Sequence, residues 1–467
     1  MNSPIFTPTR RLLLQGMGAF LPARSLRASA GARDGLPEIL ARIKPPVFPG
    51  RDFDIRKFGA AGDGVRDDTG ALRKAVEACR RAGGGRVVAP PGVYATGPVH
   101  LRSNVNLHVA AGATLRFHRD PARYLPLVLS RWGGVECMNY SPFLYCFEQE
   151  NVAVTGAGTL DGAADCEHWW PWKGRTNCGW KKGDPHEQKA RNALFAMAER
   201  DEPVEKRVFG EGGCLRPNFI QPYRSRNILI EGVTIVNSPM WEIHPVLCRN
   251  VTVRNVTVKS HGPNNDGCDP ESCRDVLIEG CVFDTGDDCI ALKSGRNREG
   301  RRINVPCENI VVRRCTMKDG HGGVTIGSEI SGGCRGVWVE DCAMDSPKLD
   351  RVLRIKTNSF RGGAIHGIYC RNLTVGTVAG AAIDIDFHYE EGRGGAFLPS
   401  VGEIEIANLK CRKSQRVLSL RGFKEAPIRN VTLEDCSFEN SARPDRVEFV
   451  EGLRLVRVTV NGAERRS

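Results

Sequence analysis

The chain has 467 residues, 41% hydrophobic and 26% charged, with 52 glycines and 27 prolines dispersed without a period; this excludes a disordered or collagen-like chain. So many glycines and prolines leave little room for long helices, and a turn-rich, β-rich fold is expected. Lys and Arg exceed Asp and Glu by 12, a surplus that suits nucleic acid, an anionic lipid surface or an acidic polysaccharide, and the 18 cysteines contain no CxxC pair of zinc spacing, against a zinc ribbon or finger.

Residues 1–30 contain no acidic residue. Arg10-Arg11 precedes an apolar run, Leu12 to Leu21, too short to span a bilayer, and Ala28-Ser29-Ala30 follows as a small-residue cleavage site. This order predicts an export signal of the twin-arginine type, and a periplasmic or secreted protein. Its removal takes four arginines and lowers the charge surplus from 12 to 8. Residues 31–50 are expected as a linker, and no later run is apolar enough for a membrane span.

Asp67-Asp68-Thr69 is expected to cap an amphipathic helix with Leu72, Val76 and Cys79 on one face, ended by Gly83-Gly84-Gly85. Such a short N-terminal helix would plug the open end of a solenoid. From about residue 100 a polar or Gly residue is repeatedly followed by alternating apolar positions: Asn104 then VNLHVAAG, Asn151 then VAVTGAG, Asn227 then ILIEGVTI, Asn250 then VTVRNVTV, Asp275 then VLIEGCVF, Asn309 then IVVRRCTM. The pattern continues after Gly336, Gly367, Glu403, Asn430 and Gly452, and from residue 228 onward its starts lie 22 to 36 residues apart. Alternation makes each unit a strand, and the spacing is that of a solenoid. The predicted fold is all-β, a single right-handed parallel β-helix over residues 51–467, interrupted at about 163–227 by an insertion rich in Trp and charge that would wall one side of the coil. Cys281, Cys315, Cys342 and Cys436 recur at one coil position and are expected as an inward ladder of free thiols; Cys166/Cys178 and Cys268/Cys273 are local disulfide candidates.

Polar clusters recur at coil spacing: Asn264-Asn265-Asp266, Gly286-Asp287-Asp288, Gly320-His321-Gly322 and Arg354-Ile355-Lys356, with 22, 33 and 33 residues from Asp266 to Asp288 to His321 to Arg354. Stacked strands would bring the three carboxylates to about 5 Å, where like charges perturb one another's protonation. Neighbouring strand residues point to opposite faces, so Asp287 and Asp288 are expected to straddle a turn-to-strand junction, with Gly286 supplying backbone freedom. Arg354 and Lys356, at i and i+2, would project together as a clamp for a carboxylate or sulfate, or pair with the aspartates, the two roles being compatible. His321, between glycines that would let a ligand approach, is expected as a site residue.

These four clusters resemble the motifs of the family 28 glycoside hydrolases, the polygalacturonases, which read Asn-Thr-Asp, Gly-Asp-Asp, Gly-His-Gly and Arg-Ile-Lys; Asn265 for Thr is the one departure. Phe58-Gly59-Ala60-Ala61-Gly62-Asp63-Gly64 is also similar to the family's N-terminal cap, so the resemblance covers nearly all of the chain after residue 50. It implies hydrolysis of α-1,4 links in polygalacturonate with inversion: Asp287 as general acid, Asp266 and Asp288 activating water, His321 supporting the acid or contacting sugar, and Arg354 and Lys356 binding the galacturonate carboxylate. Asn264 and, on a short motif, Tyr389 are the further substrate-binding candidates. No metal and no cofactor are implied, and an acidic polysaccharide rather than nucleic acid or membrane is the expected partner of a monomer. Residues 262–267 and 355–358 look like bacterial exo-acting members, and the insertion would favour chain-end attack. Competing expectations are a rhamnogalacturonan or xylogalacturonan hydrolase of the same family, a calcium-dependent pectate lyase, and a non-catalytic carbohydrate-binding β-helix.

Overall fold

The computed structural model describes residues 35–466, so the expected export signal lies outside the described residues. Strand after strand pairs in parallel, with the register kept by inward apolar side chains: Val251 faces Val276, then Ile310, Val337, Ile368, Ile404 and Val431 in successive coils. All seven are buried, and each such side chain contributes about 1.5–3 kcal/mol relative to exposure. A shorter sheet forms another side of the coil, running from Ile290–Leu292 through Val324–Ile326, Leu353–Lys356 and Ala381–Asp386 to Arg416–Arg421. The predicted right-handed parallel β-helix is the fold of the chain.

The polar residue that opens each repeat has a structural cause. Asn227, Asn250, Asp275, Asn309, Gly336, Gly367, Glu403, Asn430 and Gly452 all have φ between +53° and +73°. This left-handed bend turns the chain into the strand, and Asn, Asp and Gly are the residues that adopt it at least cost. The side chains also stack: the amide of Asn151 donates to Asn104 at 2.9 Å, that of Asn227 to Asn151 at 2.9 Å, that of Asn250 to Asn227 at 2.8 Å and that of Asn309 to Asp275 at 3.0 Å.

Four α-helices accompany the coils among the described residues. α1 (Gly35–Arg42) replaces part of the expected linker: Leu36, Ile39 and Ile43 pack on Leu277, Val311 and Trp338, outward side chains of three adjacent strands. α2 (Thr69–Arg81) is the predicted cap, with Leu72, Val76 and Cys79 buried in the core. Its start is held by Asp67, which accepts from the Thr69 amide at 3.0 Å, while Asp68 turns away to accept from Ala61 and Gly62. α3 (Gln188–Glu199) belongs to the insertion, and α4 (Asn297–Ile303) follows one of the site strands. The repeat resumes with Ile220–Tyr223, earlier than the expected boundary of 227.

The Cys281, Cys315, Cys342 and Cys436 thiols are free, buried and donate to backbone carbonyls within their own coils. A second buried column, Cys248, Cys273, Cys307 and Cys334, went unnoticed in the sequence. Cys166 and Cys178 are bonded, inside the insertion; Cys268 and Cys273 are both free, because each is taken up by core packing. A hairpin, Val128–Trp132 with Val135–Asn139, was also not anticipated; with α3 it forms a satellite core around Trp132, Leu194 and Trp241.

Candidate active site

The polar clusters face one cleft of about 580 Å³. Asp266 ends a tight turn organised by Asn265, whose Oδ1 accepts from the Ser260 hydroxyl and the Gly262 amide, both at 2.7 Å, and whose amide donates to the carbonyls of Ser238 and Met240. The residue that departs from the family motif is thus a fully bonded brace. Asn264, left-handed at φ +57°, lines the cleft while its side-chain oxygen accepts from Arg216 at 2.9 Å.

Asp287 and Asp288 lie in the turn between the strands Val282–Thr285 and Ile290–Leu292, which resolves the alternation difficulty. Asp287 turns toward the cleft with its side chain 19% exposed, whereas Asp288 is wholly buried and donates its backbone N–H to Asp287 Oδ1 at 3.0 Å. Gly286 is needed for closeness rather than for freedom: a Cβ there would collide with the Gly262 carbonyl of the preceding coil. Gly322 likewise leaves space for the Thr325 hydroxyl and the Asp288 carboxylate, so the glycine beside His321 admits protein and not ligand. The carboxylates of Asp266, Asp287 and Asp288 each place an oxygen within 4.8 Å of the others.

Each carboxylate has a cationic neighbour. His321 Nδ1 is 2.9 Å from Asp287 Oδ1, with the imidazole 47% exposed. Lys356 Nζ donates to Asp288 Oδ2 at 2.6 Å, and Arg354 Nη1 lies 3.5 Å from Oδ1. Both side chains sit on the strand Leu353–Lys356 with Ile355 directed into the core, as the i, i+2 spacing predicts, but they are only 13% and 7% exposed. Tyr389 closes that end, its ring 5.2 Å from Lys356 Nζ and 5.6 Å from the Arg354 guanidinium. Lys293, which the sequence reading passed over, sits 3.7 Å from Asp266, 3.6 Å from Asp269 and 3.3 Å from Glu329, over the Trp241 ring. Its signal was present: it lies three residues beyond Ile290, on the strand that Asp287 and Asp288 lead into.

Asp266 and Asp287 are shifted in opposite directions. Burial, reinforced by the negative charges of Asp269 and Asp287, raises Asp266 well above the carboxylate range despite Lys293. For Asp287, burial favours the neutral acid but is outweighed by the His321 hydrogen bond and the charges of His321, Lys356 and Lys293, which hold it below the usual value. His321 is raised, first by that hydrogen bond, with burial opposing. The Asp287–His321 pair thus favours the proton on the imidazole, while the surroundings of Asp266 favour its neutral form. Asp266 Oδ1 and Asp288 Oδ1 accept no hydrogen bond among the described residues, so each keeps a lone pair for a water molecule.

The insertion forms one wall of the cleft, with Phe195 of α3 under the Arg296 guanidinium at 4.3 Å. Trp170 is hydrogen-bonded to the Ser238 carbonyl at 2.8 Å, and Lys173, Arg175, Arg191 and Phe195 reach the cleft.

The model of the glycosyl hydrolases of family 28 matches residues 207–454. A probable polygalacturonase of Vitis vinifera is 27% identical over 85% of this chain and 77% of its own length. An exo-poly-alpha-D-galacturonosidase of Dickeya chrysanthemi is 25% identical over 84% of this chain and 63% of its own length. Among solved structures, a hyperthermoactive exopolygalacturonase from Thermotoga maritima superposes with a TM-score of 0.90 at 45% identity, covering 92% of this chain and 96% of that one. With its cleft-facing carboxylates, its motifs at coil spacing and these relatives, the chain belongs to the glycosyl hydrolases of family 28 and is a glycoside hydrolase.

Proposed function

We propose that the protein hydrolyses α-1,4-galacturonosyl links of polygalacturonate from a chain end, with inversion. One observation carries the reading: three carboxylates converge at a cleft that an insertion walls on one side, and of the two that line it Asp266 is raised while Asp287 is lowered. The extent of the likeness to the Thermotoga maritima exopolygalacturonase supports chain-end action.

Asp287, the member of the trio turned to the cleft, is the general acid, and it works as a pair with His321. In the free enzyme the pair holds its proton on the imidazole; as the glycosidic oxygen approaches Asp287, the proton passes through that carboxyl to the leaving sugar. Asp266 and Asp288 hold the attacking water between their unbonded oxygens, and Asp288, ion-paired with Lys356, takes its proton, since the surroundings of Asp266 favour its neutral form. Nearest oxygens within 4.8 Å lie closer than the roughly 6.5–9.5 Å of two-carboxylate inverting sites. Inversion is proposed here because Asp266 and Asp288 are buried at 3% and 0% exposure, a poor placement for a nucleophile that must bond to a sugar carbon in the cleft. The reading needs no metal, since Lys293, Lys356 and His321 already neutralise the cluster.

Export belongs to the same proposal. Arg10-Arg11 with the apolar run behind it would send the chain to the periplasm or beyond, to act there as a monomer. No helix among the described residues is long and apolar enough to cross a membrane.

The test is reducing-sugar release from polygalacturonate without added metal, with mono- or digalacturonate as the main product. Asp287→Asn is expected to lose at least about a hundredfold in rate, the usual contribution of a general acid; a loss of only a few fold would remove Asp287 from that role. Proton NMR of the first-formed anomer checks inversion, and retention would overturn the water-holding role of Asp266 and Asp288.

A further inference from the structure

A polyanionic substrate needs cations to recognise it, and most of those in the cleft are already engaged. Lys356 and Arg354 are shared with Asp288, Lys293 with Asp266, Asp269 and Glu329, Arg296 with Glu329, Glu390 and Glu391, and Lys173 with Glu187. Arg175 and Arg191 line the same cleft and have no carboxylate partner among the described residues.

Both are carried by the insertion and both are positioned. Arg191 lies in the first turn of α3 with its guanidinium 5.3 Å from the centre of the Phe195 ring. Arg175 is exposed, between the left-handed Gly174 and the turn closed by Cys178, whose bond to Cys166 fixes that loop. Around them Lys173 and Arg216 share a single carboxylate, Glu187, so this wall holds positive charge in excess. Lys173 registers the excess: burial and the charges of Arg216 and Arg191 hold it below the usual lysine value in spite of Glu187.

Their place along the solenoid matters. The insertion rejoins the coil at Ile220, and the bridges Ile220 to Ile243 and Ile243 to Cys268 put it two coils before the Asp266 turn. Arg354 and Lys356 stand two coils beyond the Asp288 strand on the other side, by way of Val324 and Leu353. Arg191 stacks on Phe195, whose ring lies 4.3 Å from the Arg296 guanidinium, so the insertion's cations line the wall of the cleft while Arg354 and Lys356 lie against Asp288. We propose that Arg175 and Arg191 form a second anion subsite, which takes the carboxylate of the terminal uronate at the walled end of the cleft. Two guanidinium groups suit it because each offers a planar fork of donors to a carboxylate. The proposal rests on the galacturonan reading above and adds to it the residues that select a charged chain end.

The experiment is calorimetric titration of trigalacturonate into Asp287→Asn, chosen to slow turnover, and into the same background carrying Arg175→Gln, Arg191→Gln or both. Each Gln is expected to weaken binding about tenfold or more, as loss of a charge-assisted hydrogen bond does, and the double variant is expected to show a flatter dependence on salt. Arg191→Lys, which keeps the charge, should recover part of the loss; melting curves establish that the variants are folded. Affinities within twofold of the parent for both Gln variants would overturn the subsite, while polygalacturonate hydrolysis by the wild type would leave the functional reading standing. If the wild type released nothing from polygalacturonate, the functional reading would fail, yet Arg-dependent binding of the trimer would still support the subsite. Failure of the Asp287→Asn background to bind the trimer at all would overturn the subsite, and wild-type hydrolysis alone would decide the functional reading.

Discussion

Lys356→Met isolates the ion pair beneath the cleft. Asp288 is fully buried and its Oδ2 is 2.6 Å from a lysine that is itself 7% exposed, so removing the ammonium leaves a buried carboxylate without its nearest counter-charge. Breaking a buried pair from one side costs about 3–5 kcal/mol, and the lower end applies because Arg354 remains 3.5 Å from Oδ1. With an unfolding entropy of about 2.1 cal/mol/K per residue, the roughly 430 described residues give about 0.9 kcal/mol per degree, so a 3 kcal/mol loss lowers Tm by about 3 °C. Lys356→Met/Asp288→Asn removes both charges and is expected to regain most of that loss without regaining activity. Scanning calorimetry at a fixed scan rate measures all three proteins. A single variant melting within 1 °C of the parent, or a double variant melting clearly below the single, would refute the view that Lys356 is first of all the counter-charge of Asp288.

Other outcomes follow from the same geometry. His321 is raised above its ordinary 6.5 by Asp287, so its stabilising contribution is complete below pH 6.5 and is lost as pH rises through the raised value; with the ring nearly half exposed, that contribution is below about 1 kcal/mol. The alkaline limb of kcat/KM is therefore expected above pH 6.5, and His321→Asn should bring it down toward the ordinary carboxylate range near about pH 4; an unmoved limb would exclude the pair as the proton carrier. Alkylation of the native protein should leave its cysteines unlabelled, and unfolding without reductant should expose sixteen thiols and leave Cys166 and Cys178 blocked, as mass spectrometry reads directly. Gly286→Ala drives a methyl group against the Gly262 carbonyl and is expected to cost about 1–3 kcal/mol together with most of the activity, since it spreads the Asp266 and Asp288 coils; wild-type kinetics would contradict that packing.

The coils were legible because one backbone requirement repeats. A left-handed bend before each strand restricts that position largely to Asn, Asp and Gly, and the strand after it must alternate to fill the core, so the pattern survives in the sequence even where the turns between coils vary. The site was legible for a related reason: side chains at equivalent turns of adjacent coils stack into one cluster. The second cysteine column could have been found as well, since Cys248, Cys273, Cys307 and Cys334 each stand two residues before the bend residues Asn250, Asp275, Asn309 and Gly336. By contrast, α1 occupies an outer surface that no periodicity announces, and the hairpin at Val128–Asn139 belongs to no repeat. The pairing of Lys293 with Asp266 was hidden too, because it depends on how far a long side chain reaches across coils.

This division between repeated and unrepeated parts separates chemistry from selection. Everything assigned to bond cleavage, Asp266, Asp287, Asp288 and His321, stands on turns of the solenoid, where stacking fixes the carboxylates at separations that loops alone would not hold. The charge-bearing wall that faces them comes from the insertion at residues 162–219, anchored by Trp170 and by the Cys166–Cys178 bond. A change in the insertion can therefore alter which chain end enters without moving the reacting carboxylates. The net surplus of 12 positive charges, which by itself suits many polyanions, reduces to a local arrangement: the cleft neutralises its own aspartates with Lys293, Lys356 and His321, and leaves Arg175 and Arg191 as the charges available to an incoming acid.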